Sequence, residues 1–276
     1  MRLTIKHHTQ YRYEEAAAAA IQVLRLTPRN HDGQAIRHWR VEIDADCKLD
    51  RDEDAFGNVT HTFSIDGPVS EVNVRVEGVV ETSDTDGKVE GTRERFPPGF
   101  WLRRSPLTMP SREIEVLAEN INAGEGGDHL ASLHTLMSTI HRDIRFVIGD
   151  TNSATTAAES FERGSGVCQD LAQIFVAAAR SLAIPARYVG GYFLRTDTDE
   201  QVAGHAWAEA WLPRIGWIGF DPANCVCVDE RYVRIALGVD SMDAAPIRGV
   251  RSGGGGETMV VAVQVAQVQV QVMGHQ

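Results

Sequence analysis

The chain is poor in cysteine, with only four among 276 residues. A disulfide-stabilised scaffold needs more, so a reducing compartment fits and we expect a cytoplasmic location. No run approaches the ~20 apolar residues of a membrane-spanning helix. The first residues also lack the apolar segment that a signal peptide carries. The sequence therefore predicts no membrane partner.

Basic residues are also scarce relative to acidic ones. Lys and Arg number 27 against 38 Asp and Glu, which gives a formal net charge of −11. Nucleic-acid-binding proteins usually present a basic face, so we predict no nucleic-acid partner. The zinc-protease, P-loop and dinucleotide motifs are absent from the sequence. Cys225 and Cys227 form a C-x-C pair without further nearby ligands, and we interpret them as structural. We therefore predict neither a metal nor a cofactor.

The length exceeds what one hydrophobic core usually needs, and the composition is that of a globular protein, with 43% hydrophobic and 24% charged residues. Residues 1–95 are predicted to form a β-rich domain, because short alternating segments are separated by turn residues. Such a series is typical of a β-sandwich. The predicted strands are Leu3–Tyr13, Ile21–Thr27, His38–Asp44, Asn58–Ile65 and Glu71–Thr82.

Residues 96–250 alternate between helical and strand patterns and are predicted to form a second region, a mixed core of helices and strands. Helices are expected from Ser111, over 129–143, over Ala157–Phe161 and from Cys168. Strands are then predicted at Ala186–Leu194, His205–Leu212 and Trp217–Asp221. Residues 251–276 are predicted to be a glycine-rich linker and a C-terminal strand. Its valine alternation slips near Ala266-Gln267, which requires a bulge or a strand end.

Cys168 stands where a helix is predicted to begin, directly after Gly164-Ser165-Gly166-Val167. The free N–H groups of a helix start can stabilise a thiolate and hold an oxyanion. An isolated cysteine is more often a small buried hydrophobe. The glycine-rich entry and two downstream partners favour the role of a nucleophile.

Those partners are His205 and Asp221, which lie 16 residues apart in a predicted hairpin. If the hairpin is centred on Pro213, His205 lies opposite Asp221. One face then carries His205, Trp207, Glu209, Trp217 and Asp221, while the other carries Ala206, Ala208, Ala210, Ile218 and Phe220. A base held by a carboxylate is the arrangement that activates a cysteine. The alternatives are a structural strand histidine and an ordinary Asp-Pro turn.

Two other features of this predicted face have competing interpretations. Glu209 is either a supporting group of the site or an exposed strand residue, and we favour exposure. Trp207, Trp211 and Trp217 either line a substrate groove or belong to the core, which is the commoner fate of strand aromatics.

Together these segments resemble the transglutaminase-like superfamily, in its bacterial type with a β-rich N-terminal region. The matching segments are Gly166–Asp170, Ile184–Tyr192, His205–Trp207 with Glu209, Gly216-Trp217, Phe220–Pro222 and Gly238–Pro246. The resemblance implies an α+β fold with a β-sandwich-like N-terminal domain and a papain-like, transglutaminase-like cysteine proteinase core. It also implies a catalytic triad of Cys168 as nucleophile, His205 as base and Asp221 as orienting acid. Residues Arg145–Asp150 depart from the family pattern, so no side-chain oxyanion donor is identified.

Members of this family crosslink proteins, cleave peptides or hydrolyse amides, and some are inactive. The expected activity is acyl transfer from a protein or peptide amide through a thioester on Cys168. Water would give hydrolysis and an amine would give transfer, and we favour hydrolysis slightly. The alternative is a catalytically inactive binding or scaffold protein on the same fold. The sequence makes no prediction of oligomeric state.

Overall fold

The computed structural model describes residues 1–268, which form two large antiparallel sheets, one two-stranded parallel sheet and four α-helices. The helices are α1 Arg112–Gly124, α2 His129–Asp143, α3 Ala157–Arg163 and α4 Cys168–Ser181. The strands are β1 Arg2–Thr27, β2 Gln34–Ile43, β3 Leu49–Glu53, β4 Val59–Thr82, β5 Lys88–Val89, β6 Arg145–Phe146, β7 Ser165–Gly166, β8 Ala186–Phe193, β9 Glu200–Gln201, β10 His205–Leu212, β11 Gly216–Asp221, β12 Val226–Cys227, β13 Tyr232–Gly238, β14 Ile247–Gly253 and β15 Glu257–Gln267. None of the helices described is long and apolar enough to cross a membrane.

The N-terminal sheet is built on two long strands, β1 and β4, which run through both halves of a sandwich-like unit. In one half they pair with β2 and β15, and in the other with β3 and β14. Their inner faces meet, because Leu24 and Phe63 from one half belong to the same buried cluster as Val72 and Val76 from the other. The predicted strands Leu3–Tyr13 and Ile21–Thr27 are therefore two parts of one continuous strand.

The predicted strands Asn58–Ile65 and Glu71–Thr82 are likewise parts of one strand, β4, in which Asp66-Gly67-Pro68 packs against the irregular part of β1. A side chain at Gly67 would collide with the carbonyl groups of Ala17 and Ala18. The β1–β4 register shifts here, between Arg12 and Ala19. Odd-numbered residues of β1 are buried before the shift and even-numbered residues after it. An extra residue in a ladder has this effect, since strand side chains alternate with a period of two.

The second sheet has the order β12-β11-β10-β8-β13 and packs one face against α4. The small residues Ala208 and Ala210 and the larger Ile218 and Phe220 meet Phe175 of the helix in one fully buried cluster. The four strand residues are among those that the sequence placed together on one face of the hairpin. Trp207 and Trp217 are buried on the opposite face, so they belong to the core.

The C-terminal segment joins the N-terminal sheet on both halves. β14 pairs with Ala17–Leu24 of β1, and β15 pairs with Leu3–Tyr13. Gly253, Gly254 and Gly255 all have positive φ, between 60° and 94°, and connect the two strands beside the irregular part of β1. The glycine run expected as a flexible linker is therefore an ordered kink, after which the chain continues along β1 in the same direction. Glycine adopts such angles without steric cost. β15 ends at Gln267, where the valine alternation predicted a strand end. Val270 and Val272 lie outside the described residues.

Candidate active site

Cys168 is the first residue of α4, as the sequence predicted. Gly164, with φ of 65°, ends α3 and reverses the chain. A side chain on Gly166 would lie 2.7 Å from both Ser160 Oγ and Asp170 Cβ, so only glycine fits there. The buried carboxylate of Asp170 accepts the backbone N–H of Val167 at 2.8 Å. These contacts fix where the helix starts and therefore where the thiol lies.

The ring of His205 is hydrogen-bonded to Asp221, with 2.6 Å between Nε2 and Oδ2. Both residues lie on one face of the β10–β11 hairpin. The observed pairs, such as Ala208 with Phe220 and Trp211 with Trp217, centre the hairpin on Arg214. The predicted centre on Pro213 is wrong, because Arg214 and Gly216 adopt positive φ and place the turn one residue later. The shift changes cross-strand partners by two residues, so each side chain keeps its predicted face.

Asp221 accepts five hydrogen bonds in all. Oδ2 receives His205, the hydroxyl of Tyr232 at 2.7 Å and the side-chain amide of Asn224 at 2.7 Å. Oδ1 receives the backbone N–H groups of Ala223 and Asn224. Burial alone would raise the pKa of this carboxyl, but His205, Asn224 and Tyr232 hold it below its usual range. The group is therefore an anion at neutral pH.

The electrostatics of the pair favour a charged imidazole. Burial opposes the imidazolium, yet the negative charges of Asp221 and of the Cys168 thiolate outweigh it and raise the pKa of His205 to about 10. The thiol, the imidazole and the carboxylate are thus electrostatically coupled, although they come from α4, β10 and β11.

The segments that carry Cys168, His205 and Asp221 match the model of a known protein family. Residues 3–81 match the model of the bacterial transglutaminase-like N-terminal region, and residues 115–222 match that of the transglutaminase-like superfamily. Together the two matches span most of the chain and include Cys168, His205 and Asp221. The chain belongs to the transglutaminase-like superfamily.

Relatives extend over the whole transglutaminase-like chain. An uncharacterized protein of Mycobacterium leprae is 29% identical and aligns over 97% of this chain and 99% of its own. A protein-glutamine gamma-glutamyltransferase of Pseudomonas aeruginosa is 32% identical, over 34% of this chain and 16% of that protein. The crystal structure of a "putative cysteine protease" from Cytophaga hutchinsonii has a TM-score of 0.78 at 20% identity and covers 99% of this chain and 92% of that chain. The predicted α+β fold, with its sandwich-like N-terminal region and transglutaminase-like core, is confirmed.

Glu209 is fully buried, so the expectation that it is an exposed strand residue is wrong. Its carboxylate accepts hydrogen bonds from Arg187 at 2.6 Å and Arg234 at 2.7 Å, on β8 and β13, the next two strands of the sheet. Burial would raise the pKa of Glu209, but the two guanidinium groups lower it to about 2. Arg187 also stacks on Trp217, 3.8 Å from the ring centroid. In this transglutaminase-like sheet, Glu209 holds strands together and makes no hydrogen bond to His205.

Cys168 and His205 open into a cleft of about 660 Å³ between the core and the N-terminal sheet. The far wall comes from β1, β14 and β15. Tyr11, Tyr13, Val250 and Met259 give this wall a mostly apolar surface. Its charged pair, Arg251 and Glu257, is joined at 3.2 Å and so carries no net charge.

Sequence reasoning missed Tyr232 and Asn224, the two side chains that hold Asp221 in addition to His205. Asn224 follows Asp221 by three residues, so the Asp-Pro-x-Asn spacing could have indicated a local turn. Tyr232 lies on β13, and no local pattern connects it with β11. Within residues 1–268, no group of three or more His, Cys, Asp or Glu side chains could hold a metal. Cys225 and Cys227 are half-buried free thiols.

Proposed function

We propose that this protein is a cysteine enzyme that transfers the acyl group of a peptide or glutamine amide through a thioester on Cys168. The observation that carries the proposal is the hydrogen bond from His205 Nε2 to buried Asp221, beside a thiol at a helix start. A carboxylate at Nε2 leaves Nδ1 as the nitrogen that can accept the thiol proton. Asp221 then orients the ring and stabilises its charged form.

The reaction begins from the imidazolium form of His205, which its pKa of about 10 favours, with the proton from Cys168 Sγ already on Nδ1. The thiolate attacks the amide carbonyl, and the tetrahedral intermediate carries its negative charge on the former carbonyl oxygen. No acceptor for the backbone N–H of Cys168 occurs in residues 1–268, so it is free to donate to that oxygen. The imidazolium returns a proton to the nitrogen that leaves, and the thioester remains on the enzyme.

A second nucleophile then resolves the thioester. Water or an amine gives up a proton to His205 and attacks the thioester carbonyl, which releases Cys168 as the thiolate. The cleft is open to solvent, and water is the acceptor always present, so we propose hydrolysis as the basal reaction. Transfer to an amine requires that an amine compete with water in the same cleft.

Selective alkylation tests the proposal before any substrate is known. Cys47, Cys225 and Cys227 are also free thiols, and burial raises the pKa of Cys47 and Cys227. At pH 6, limiting iodoacetamide should modify Cys168 before the other three, as read by mass spectrometry of tryptic peptides. His205→Ala should remove this preference, because the thiolate loses its counter-charge. Equal labelling of all four thiols in the folded protein would favour the inactive scaffold instead.

Glutamine-containing peptides, with and without an added primary amine, test the chemistry that follows. Release of ammonia or cleavage of the peptide without the amine identifies hydrolysis. Incorporation of the amine into the peptide identifies transfer. Cys168→Ala is the control in each assay and should abolish both.

A further inference from the structure

Gln22 is a buried polar side chain that the proposed chemistry does not use. It is 6% exposed and lines the same cleft as Cys168. Its Oε1 atom has no hydrogen-bond partner among residues 1–268. Burying a carbonyl oxygen without a partner destabilises a fold, so such groups in native proteins call for an explanation.

The backbone places this amide in the cleft by two devices. The register shift between Arg12 and Ala19 turns the even-numbered residues of β1 inwards, and Gln22 is one of them. Its partner across the ladder is Gly249 of β14. A Cβ at Gly249 would lie 2.7 Å from Gln22 Cγ, so the glycine provides the space in which the side chain lies.

The chemistry of the cleft selects a neutral ligand. Arg251 and Glu257 neutralise each other, and the other side chains that β1, β14 and β15 contribute to the wall are uncharged at pH 7. A free carboxylate or ammonium group would therefore enter without a counter-charge. A carboxamide offers one acceptor and two donors, which match the N–H and C=O of another amide.

A second group on the same strand also presents a free donor. His7 Nδ1 lies 2.7 Å from the hydroxyl of Tyr192, and His7 Nε2 lies 2.8 Å from Thr9 Oγ1. Burial, with the nearby His8, lowers the pKa of His7 to about 4, so the ring is neutral at pH 7. The Tyr192 proton has no other acceptor in the described chain and goes to Nδ1. Nε2–H then donates to Thr9, whose own hydroxyl proton is left for the cleft.

We propose that β1 forms the recognition wall for the substrate, with Gln22 and Thr9 binding amide groups of an uncharged, extended peptide segment. The inference rests on the proposed function, since Cys168 must act on that same peptide. Gln22 Oε1 is less than 1 Å² exposed, and a half-turn of the amide exchanges it with Nε2, which faces the cleft. In that orientation Gln22 accepts a peptide N–H, and Thr9 donates to a peptide carbonyl. Both residues determine affinity and specificity, and neither contacts the reacting bond.

Binding without turnover tests the inference. The Cys168→Ala protein is titrated by calorimetry with a neutral probe, acetyl-Ala-Val-Gln-Gly-Ala-amide. Gln22→Met keeps the side-chain volume and removes its hydrogen bonds, so it should weaken binding by about tenfold. Its Tm should not fall, because an unpartnered buried amide is removed. Gln10→Met is the matched control, since Gln10 lies on the same strand and its amide bonds Glu71 and Asn73 instead. It should bind the probe as the parent protein does.

Ester analogues of the probe, each with one backbone N–H replaced by oxygen, locate the contact. One ester analogue should bind the parent protein about tenfold more weakly than the peptide binds it. The same ester and the peptide should bind the Gln22→Met protein with equal affinity. Equal affinity of parent and Gln22→Met for the probe would overturn the inference, and so would the lack of any binding to the parent at millimolar concentration. Thiol labelling in the Gln22→Met protein with Cys168 intact reports the catalytic chemistry separately. If Cys168 shows no selective labelling but Gln22→Met still weakens binding of the probe, the proposed function is refuted and the recognition wall is not.

Discussion

Asp221 carries the densest set of contacts in the site. Both oxygens act only as acceptors, and five donors from four residues converge on them. A carboxylate with this environment holds the histidine ring in one tautomer, and it also holds the turn that follows β11. The same carboxylate therefore both orients the ring of His205 and stabilises the turn after β11.

Substitutions at Asp221 separate these two roles. Asp221→Asn places an NH2 group against a donor in either orientation, so the free energy of unfolding should fall by roughly 1–3 kcal/mol. It keeps an oxygen for His205 and should retain measurable activity, whereas Asp221→Ala should lose more. His205→Ala should reduce kcat at least ~10²-fold, as expected for a lost general base. Circular dichroism establishes that each variant is folded. A folded and fully active Asp221→Ala protein would exclude Asp221 as the orienting group.

His7 gives the stability of the protein a defined dependence on pH. Its pKa is about 4 in the folded protein, against 6.5 for the unperturbed group. Between these values the unfolded chain binds more protons, so stability is lost as the pH falls through this window and is regained as it rises. Between pH 7 and pH 4 the loss from this group is roughly 3 kcal/mol. His7→Gln should remove this part of the pH dependence of the free energy of unfolding, measured by urea unfolding at a series of pH values. Parallel stability curves for the two proteins would contradict the assignment.

At the scale of elements, the sequence predicted where helix α4 begins and which strand residues share a face, because both depend on neighbouring residues. The start of α4 at Cys168 followed from glycines and an apolar stripe, and the two faces of the hairpin followed from strand periodicity. The face assignment survived an incorrect register because the turn lies one residue further on, at Arg214, which moves partners by an even number of residues. Apolar alternation cannot distinguish these two registers, since both bury Ala208 and Ala210.

The errors arose where a residue's environment comes from distant strands. Glu209 was expected to be exposed, yet Arg187 and Arg234 reach it from β8 and β13, and no residue near Glu209 in the sequence indicates these partners. The continuity of β1 was missed for a similar reason. Ala16–Ala20 gives no strand signal of its own, and its extended conformation is imposed by pairing with β4 and β14.

The two sheets of the molecule share interior contacts. Leu3 and Ile5 of β1 are buried in the same cluster as Tyr188 and Tyr192 of the core. Gln34 bonds both the N–H and the C=O of Arg234, and β5 completes the core sheet beside β11. Such contacts join the predicted N-terminal and catalytic regions more tightly than a flexible connection would.

We therefore expect the predicted boundary near residue 95 not to separate independently folding units. The full chain should unfold in a single transition, with tryptophan fluorescence and circular dichroism giving coincident curves. The segment 96–250 expressed alone should remain unfolded, because it lacks β5 and the apolar cover of β1. Two separated transitions, or a folded 96–250 segment with a reactive Cys168, would show that the regions are autonomous.

β15 follows every other element of the cleft in the sequence and is therefore synthesised after them. This strand pairs with the first residues of β1, and together they form much of the wall opposite Cys168. A growing polypeptide thus acquires its thiol, base and carboxylate about forty residues before the strand that completes the wall. Long-range pairing of this kind also forms late in folding. Under the proposed function, Cys168 is therefore synthesised before the substrate cleft has its full wall, and the cleft is complete only once β15 pairs with β1.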